Sequence, residues 1–559
     1  MKPDNQDSGD ESGRPGAVRE LLGRAGIGAR RLRTAIRLLT ERRLTLAELI
    51  RESGVDRRTV EALLAALGDD LVRDHDRLHI AAAAEPAYRA LARVDQLAAT
   101  DPADPLAPLV AANPGLVDQV RRWVAEAPPA RASLDHVPAT PETVARRALW
   151  LEATFDLDDA RLLCLGDHDL TSLAVASVNP RLAVTVVDVD DAVLAYIDAA
   201  GLTSVRCLWS DLRFGLAPGA RGWGDLVFAD PPYTPDGVRL FLGRGLEGLR
   251  QRDQARLVLA YGFGADHPGL GLKVQQAVSS LNLVYEAVLP RFNRYDGAQA
   301  VGSSSDLYVL RPSVHSPQGL SAKSVNIYTH GAQSLEGVPS APDDDVASAL
   351  QAAAAGPSGL PVVTVGPGER VPLAAVFAGP PPASLATSGV AVNLSGDPGG
   401  WLVRVLLAVN APRLALLVPN NHPDLANEAA QRSLRETVGV KYRLTLRRST
   451  PGPRHAIVEA TRIDPGDLDP AQRTLRAVLD RAHGKVGNTW REALIRAAAA
   501  TGATMTKNEA RARIRELAAT TWLLDEPLLW LPRHRITEVI RTIGSRHSAP
   551  APASPGQTS

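Results

Sequence analysis

Cysteine is nearly absent. Cys164 and Cys207 are the only two in 559 residues, too few for a disulfide framework. Both fall in apolar, strand-like runs, which reads as buried reduced thiols, and no metal site is expected. Net charge is missing as well: Lys+Arg and Asp+Glu number 62 each, so no global field draws the chain to nucleic acid or to a membrane surface. No apolar run approaches the roughly 18 residues a membrane span needs. The N-terminal MKPDNQDSGDESGRPG is polar and acidic and has no apolar signal-peptide segment. A cytoplasmic protein without membrane contact is expected.

What is present is length and alternation. At 559 residues the chain exceeds one core, and three or four domains are expected. Hydrophobic residues make up 45% and charged residues 22%, ordinary values for a globular protein. Residues 1–16 and the tail from Ser548 are rich in Pro, Ser and Gly and read as disordered. Within 17–94, LTLAELIRESGVDRRTVEALLAAL predicts a helix over 46–53, a break at Gly54, and a second helix opening near Asp56. DDLVRDHDRLHIA then predicts a hairpin, which completes the order of a winged helix-turn-helix. Arg57 and Arg58 at a helix start would suit phosphate, but the same fold serves as a packing or dimerising module, and that role is preferred here.

A stretch rich in Ala, Pro and Asp (95–138) leads into 139–314, where strands and helices alternate. RLLCLG, LAVTVVDVD, SVRCLWSDL, DLVFADPPY and RLVLAYGF are successive apolar runs, and two further strands close the set. That pattern indicates a doubly wound, Rossmann-like sheet of the class I methyltransferase kind, with ligands at the carboxyl ends of its strands. Residues 331–361 read as a linker, 362–463 as a small α/β unit, and 470–545 as a helical, basic, possible second winged-helix-like module. Trp490, Trp522 and Trp530 are expected in its core. No tandem repeat is visible. The fold class is therefore multidomain α/β.

The residues that carry chemistry follow these strands. In GDHDLTS, Gly166 permits close backbone approach to a nucleoside, and Asp167, His168 and Asp169 replace a glycine-rich phosphate cradle. Acids at that turn repel phosphate and attract a sulfonium or an amine, although one of them could simply cap the next helix. Asp188, about twenty residues on, has the spacing of a ribose ligand, and Asp190 suits a helix cap. Asp211 ends the third strand within reach of an adenine amino group. Asp230, Pro231, Pro232 and Tyr233 form DPPY, a motif in which an acid and a rigid turn hold a nitrogen nucleophile beside a sulfonium donor.

TPETVARRA (140–148), CLGDHDLTSLA (164–174), VTVVDVD (184–190), SDLR (210–213) and FADPPYTPDGVRLFLGRG (228–245) resemble the bis(aminopropyl)spermidine synthases, the branched-chain polyamine synthases. The resemblance covers the N-terminal unit and the central domain. It implies aminopropyl transfer from decarboxylated S-adenosylmethionine, a co-substrate and not a permanently bound cofactor, to the secondary amine of spermidine, with release of methylthioadenosine. It makes Asp169, matching the last acid of the family's Gly-Asp-Asp-Asp turn, the preferred base. Asp167 would balance polyamine charge, Asp230 and Tyr233 would position the amine, Asp188 would hold the ribose and Asp211 the adenine. Glu142, Arg146 and Arg147 are expected near the site without an assigned role. A homodimer through the N-terminal unit is a further implication.

The family's acid turn has an aspartate where this chain has His168, which alters the charge presented to the acceptor. Two other readings stand beside the transferase. One is an amino-group methyltransferase using intact S-adenosylmethionine. The other is a winged-helix regulator whose central domain senses a polyamine or nucleoside.

Overall fold

The computed structural model describes residues 15–93, 106–264, 267–320, 327–329, 343–366, 369 and 371–545. Residues 1–14 of the expected N-terminal tail, the tail from Ser548, and 331–342 of the expected linker lie outside the described residues. No described helix is long and apolar enough to cross a membrane.

The N-terminal unit is built from local signals that agree with one another. Thr45 and Glu48 form a capping box at the head of helix Leu46–Ser53, and Gly54, at φ +66°, ends it in the left-handed conformation glycine tolerates best. Asp56 then caps helix Arg57–Leu67 by accepting from the Thr59 N–H at 2.9 Å. Leu71–Asp74 (β1) and Arg77–Ile80 (β2) form an antiparallel hairpin. Val18, Ile36, Leu49, Ile50, Val60 and Leu63 give this unit a core of its own.

The central sheet comprises Arg161–Leu165 (β3), Ala183–Asp188 (β4), Val205–Trp209 (β5), Leu226–Ala229 (β6), Arg256–Tyr261 (β7), Leu283–Arg294 (β8) and Ser304–Pro312 (β9). Their order is β5-β4-β3-β6-β7-β9-β8. The first five are parallel and the last two antiparallel. The chain runs outward from β3 to β5, then returns to β6 on the other side of β3. That reversal leaves a crevice at the carboxyl ends of β3 and β6, where an open α/β sheet receives its ligand.

A second sheet holds Val362–Val365 (β10), Gly389–Asn393 (β11), Arg413–Pro419 (β12), Tyr442–Arg447 (β13) and His455–Arg462 (β14), in the order β10-β11-β12-β14-β13. Here β11-β12-β14-β13 repeats the order and directions of β6-β7-β9-β8, two parallel strands followed by a reversed antiparallel pair. The chain thus contains a topological repeat without a visible repeat of sequence. Helix Asp344–Ala355 also corrects the linker expectation. Its Val346, Leu350 and Ala354 fall one turn apart and bury against Ala391, Ala415 and Leu417. Between Pro470 and Ser545 the described residues form helices and short 3-10 turns, with an isolated bridge from Lys485 to Pro527 and no strand pair that could make a wing.

One apolar core runs through the central and C-terminal sheets alike. Trp209, at the end of β5, lies 5.8 Å from the Phe377 ring and 6.4 Å from Trp530, which with Trp490 is buried. The C-terminal half is therefore packed against the β5 edge of the first sheet.

Candidate active site

Two cavities open at the carboxyl ends of β3, β4 and β6. One, of ≈520 Å³, is lined by Gly166, Asp188, Asp211, Phe241 and Tyr328 among others. The other, of ≈970 Å³, is lined by Pro231, Tyr233, Leu270, Tyr295 and Val301 among others. Both are bordered by Asp135, His168, Asp230 and Pro232, so the two spaces meet at the Asp230 carboxylate.

The hub beneath that junction is Arg147, which has no exposed surface. It projects from helix Pro141–Thr154, whose start Thr140 caps through the Thr143 N–H. All five guanidinium donors are used. Nε donates to Asn293 Oδ1 at 2.8 Å; Nη1 donates to Asp169 Oδ2 at 2.8 Å and Thr171 Oγ1 at 3.3 Å. Nη2 donates to Asp230 Oδ2 at 2.7 Å and to Tyr295 Oη at 3.2 Å. The guanidinium also lies over the Phe228 ring at 5.0 Å.

Two carboxylates thus share one cation, and their surroundings push them apart. Burial alone would raise Asp169, but His168, Arg147 and the Ala139 N–H (2.8 Å) outweigh it and hold Asp169 below the ordinary aspartate value. Burial wins at Asp230, which is raised despite Arg147. Tyr295 Oη donates to the same Oδ2 of Asp230 at 2.9 Å and itself accepts from Tyr233 Oη at 2.9 Å. The bonds to Asp230 converge on Oδ2, which leaves Oδ1 for a ligand.

The acid turn divides differently from expectation. Gly166 has φ +71°, and a Cβ there would meet the Phe241 ring at 3.3 Å, so glycine keeps this wall of the cleft open. Asp167 folds back beneath the turn and accepts from the Ser172 N–H at 3.2 and 3.3 Å, capping helix Thr171–Val178. Burial pushes it up to about 7. It lines neither cavity, and its oxygens face the start of that helix. Asp169 likewise lines neither cavity, and its carboxylate is spent on Arg147, His168 and Ala139. Asp169 is thus a buried, ion-paired acid beneath the junction of the two cavities, held below the ordinary aspartate value.

His168 does reach the site. It contacts the Val137 carbonyl oxygen at 3.1 Å and Asp169 at 3.3 Å. It also stacks on His136 with 4.3 Å between centroids. Burial disfavours its charge, but Asp169 and the Val137 carbonyl raise it overall. His136 is driven down to about 2, by burial first and then by His168 and Arg131. The pair therefore carries one charge at most, on His168.

Asp188 lines the smaller cleft and accepts from the Asp167 and Asp190 N–H groups at 2.9 and 2.8 Å, one bond to each oxygen. A lone pair remains on each. Asp211 is different. Its Oδ1 accepts from Arg213 N and Nε at 3.0 and 2.9 Å; its Oδ2 accepts from Arg213 Nη2 at 2.6 Å and Trp401 Nε1 at 3.1 Å. Four donors saturate the carboxylate. These bonds tie Asp211, at the wall of the smaller cleft, to Arg213 and Trp401.

Arg147 stands in the expected neighbourhood, whereas Glu142 points outward to Arg121 at 3.0 Å and Arg146 lies over the Phe292 ring. Asp135, His136, Tyr295 and Tyr328 were not anticipated. Asp135 accepts from Thr329 N and Oγ1 at 2.6 and 2.8 Å and so pins Ile327–Thr329 across the cleft. An acid and a histidine in LDHVPAT, just before the capped helix, were the available signal. Tyr295 carried none beyond being an aromatic residue near a strand end.

Residues 115–325 match the family described as the branched-chain polyamine synthase A C-terminal domain. An uncharacterized protein of Methanocaldococcus jannaschii is 32% identical over 195 residues, covering 34% of this chain and 48% of the relative. The N(4)-bis(aminopropyl)spermidine synthase of Thermococcus kodakarensis is 30% identical over 139 residues, covering 24% of this chain and 40% of the relative. The chain thus spans about half or less of the length of these curated relatives. Among solved structures, the branched-chain polyamine synthase of Thermus thermophilus in complex with N4-aminopropylspermidine and 5'-methylthioadenosine aligns with a TM-score of 0.40 at 20% identity. That alignment covers 58% of this chain and 98% of the other. The match over 115–325 takes in the whole Arg147–Asp230 network.

Proposed function

We propose that the chain transfers an aminopropyl group from decarboxylated S-adenosylmethionine to an amine nitrogen of a spermidine-like polyamine. The products are a branched polyamine and methylthioadenosine. The observation that carries this reading is the meeting of two cavities at Asp230. The smaller suits the nucleoside: Asp188 keeps a lone pair on each oxygen for the ribose hydroxyls, and Leu212, Val189 and Tyr328 offer apolar surface to a purine. The larger, with Leu270, Val301, Tyr233 and Tyr295 in its wall, suits the methylene chain of an amine.

The chemistry follows from the junction. A protonated amine has no lone pair, so its proton must leave before attack. The free Oδ1 of Asp230, the acid whose affinity for protons is raised, accepts it. The nitrogen then attacks the propyl carbon bonded to sulfur, the C–S bond breaks, and its electron pair neutralises the sulfonium as methylthioadenosine leaves. Tyr295 and Arg147 fix the other oxygen of Asp230 throughout. A methyltransferase reading is disfavoured by the smaller cleft. Among the described residues no lysine or arginine lines it to pair with a donor carboxylate, whereas Asp135, Asp188, Asp211 and Asp230 do line it.

We read the N-terminal unit as a winged helix that packs against the central domain. Arg57, at the head of its second helix, donates to Gln299 at 3.0 Å and to Glu61 at 2.8 Å, and Arg51 pairs with Asp296 at 2.6 Å. A helix start engaged in this way is less available to a phosphate backbone.

The test is incubation of the protein with decarboxylated and, separately, intact S-adenosylmethionine and a panel of polyamines, read by mass spectrometry. Methylthioadenosine with an acceptor heavier by one or two aminopropyl units is expected from the decarboxylated donor alone. Methylated product from the intact donor would replace this reading with the methyltransferase. Binding of methylthioadenosine without consumption of either donor would replace it with a sensor.

A further inference from the structure

The hairpin that joins β8 to β9 serves the larger cavity twice. Ala298, Ala300 and Val301 line that cavity. Tyr295, at the base of the hairpin, donates to Asp230 and bonds Ser305 Oγ at 2.8 Å. The path of the hairpin is unfavourable on its own terms. Ala298 and Ser303, neither of them glycine, have φ +49° and +50°, in the left-handed region that a side chain disfavours. Residues stay in that region where their surroundings impose it.

The N-terminal unit supplies those surroundings. A Cβ on Gly302, at φ +70°, would meet the Gly54 carbonyl oxygen at 2.6 Å and the Val55 carbonyl carbon at 3.2 Å. Gly54, the break between the two helices, is itself at φ +66°. Two glycine turns from distant parts of the chain therefore meet backbone to backbone, an approach that side chains would prevent. Two ties flank the contact. Arg51, before Gly54, pairs with Asp296 at 2.6 Å, and Arg57, after it, donates to Gln299 at 3.0 Å. Both land on the hairpin, on either side of Ala298. Val301 also borders a third cavity, of ≈820 Å³, whose lining includes Arg24, Arg31 and Thr59 of the N-terminal unit. The N-terminal unit thus backs this stretch of the acceptor wall.

We propose that Arg51, Gly54 and Arg57 are positioning residues for the acceptor: the helix-turn-helix seats the β8–β9 hairpin and so sets the shape of the amine cavity beside Asp230. This assignment rests on the transferase reading above. None of the three lines the cavity, so they act through Ala298, Ala300 and Val301. The smaller, nucleoside-side cleft takes no lining from residues 296–303. A displaced hairpin should therefore weaken the amine and spare the nucleoside.

The experiment exchanges the ion pair in the full chain. Arg51→Asp and Asp296→Arg each set like charges across the contact, and the double variant restores an opposite pair. Kinetics with decarboxylated S-adenosylmethionine and spermidine, with parallel titration of methylthioadenosine, read the result. Each single variant should raise KM for spermidine about threefold or more, while kcat and methylthioadenosine affinity stay within about twofold. The double variant should return KM to within about twofold of the parent. Gly302→Ala, which drives a Cβ toward the Gly54 carbonyl, should raise KM further. Arg51 and Asp296 are 37% and 49% exposed, so the charge variants decide the matter if Gly302→Ala fails to fold. An unchanged KM in both single variants, or no recovery in the double, overturns the proposal. A parent that consumes no donor overturns the transferase reading instead. Spermidine affinity, titrated in the presence of methylthioadenosine, then decides the positioning role by the same comparison.

Discussion

Trp401 donates its indole N–H to Asp211 Oδ2 at 3.1 Å across 190 residues of sequence. The same aspartate is chelated by Arg213, whose guanidinium lies 5.1 Å from the Trp401 ring and 5.4 Å from Tyr328. The C-terminal half therefore buttresses, from behind, an aspartate in the wall of the smaller cleft. Asp397, buried beside His422 at 3.0 Å, holds Trp401 in place by accepting from the backbone N–H groups of Gly399, Gly400, Trp401 and Leu402.

Trp401→Phe keeps an aromatic side chain but removes the indole N–H together with the five-membered ring that carries it. Loss of a hydrogen bond to a buried carboxylate costs about 1–2 kcal/mol, so methylthioadenosine affinity should fall roughly 5- to 30-fold. Isothermal titration measures it. Polyamine affinity should hold, because Trp401 does not line the second cavity. Equal losses for both ligands would show a general packing defect.

Arg147 is predicted to be the residue the fold tolerates least. Arg147→Met leaves Asp169 and Asp230 buried without their shared cation, a situation that costs about 3–5 kcal/mol. Arg147→Lys should rescue little, since one ammonium has three donors for five acceptors. Thermal unfolding of the three proteins checks both statements.

The strand ends were legible because parallel, doubly covered strands read as continuous apolar runs, and the acids that follow them stand out. Asp188, Asp230 and Tyr233 come to the crevice for that reason. What sequence could not supply is the direction of a side chain within a turn. Asp167 and His168 are adjacent, yet one caps a helix and the other faces both cavities; Leu170, at φ +62°, sets the path between them and the helix. Distant partners were equally hidden. Asp169 is neutralised by a residue 22 positions earlier, and Asp211 accepts from a tryptophan 190 positions later, in a region without a functional signal of its own. Helix Asp344–Ala355 was obscured by the Pro- and Gly-rich sequence on either side of it.

The Asp167 carboxyl makes a prediction with a definite sign. Its folded value, pushed up to about 7 by burial, lies above the ordinary aspartate value. Its contribution to stability is therefore complete at low pH and lost as pH rises through about 7, since the folded state must give up a proton it binds more tightly than the unfolded chain does. Asp167→Asn retains an oxygen for the Ser172 N–H and removes that penalty. The gain in stability of the variant over the parent should grow from pH 4 to pH 7, reach at most about 4 kcal/mol, and level off above. Denaturant unfolding at several pH values measures the difference. A gain that stays flat with pH would mean that Asp167 titrates normally.

Asp230→Asn and Asp169→Asn separate the two acids that share Arg147. If Asp230 takes the acceptor proton, Asp230→Asn should lower turnover about 10²- to 10⁴-fold while methylthioadenosine affinity stays within a few-fold. The parent's acid limb, where turnover rises with pH as Asp230 loses its proton, should vanish in that variant. Asp169→Asn retains an acceptor for the Ala139 N–H but leaves Arg147 with one anion instead of two. Its main effect should be a lower melting temperature, with the pH profile preserved. The opposite pattern, in which Asp169→Asn abolishes turnover in a folded protein and Asp230→Asn leaves it within tenfold, would return the base to the acid turn. It would also mean that the Asp169 carboxylate turns toward the acceptor once the ligands are bound.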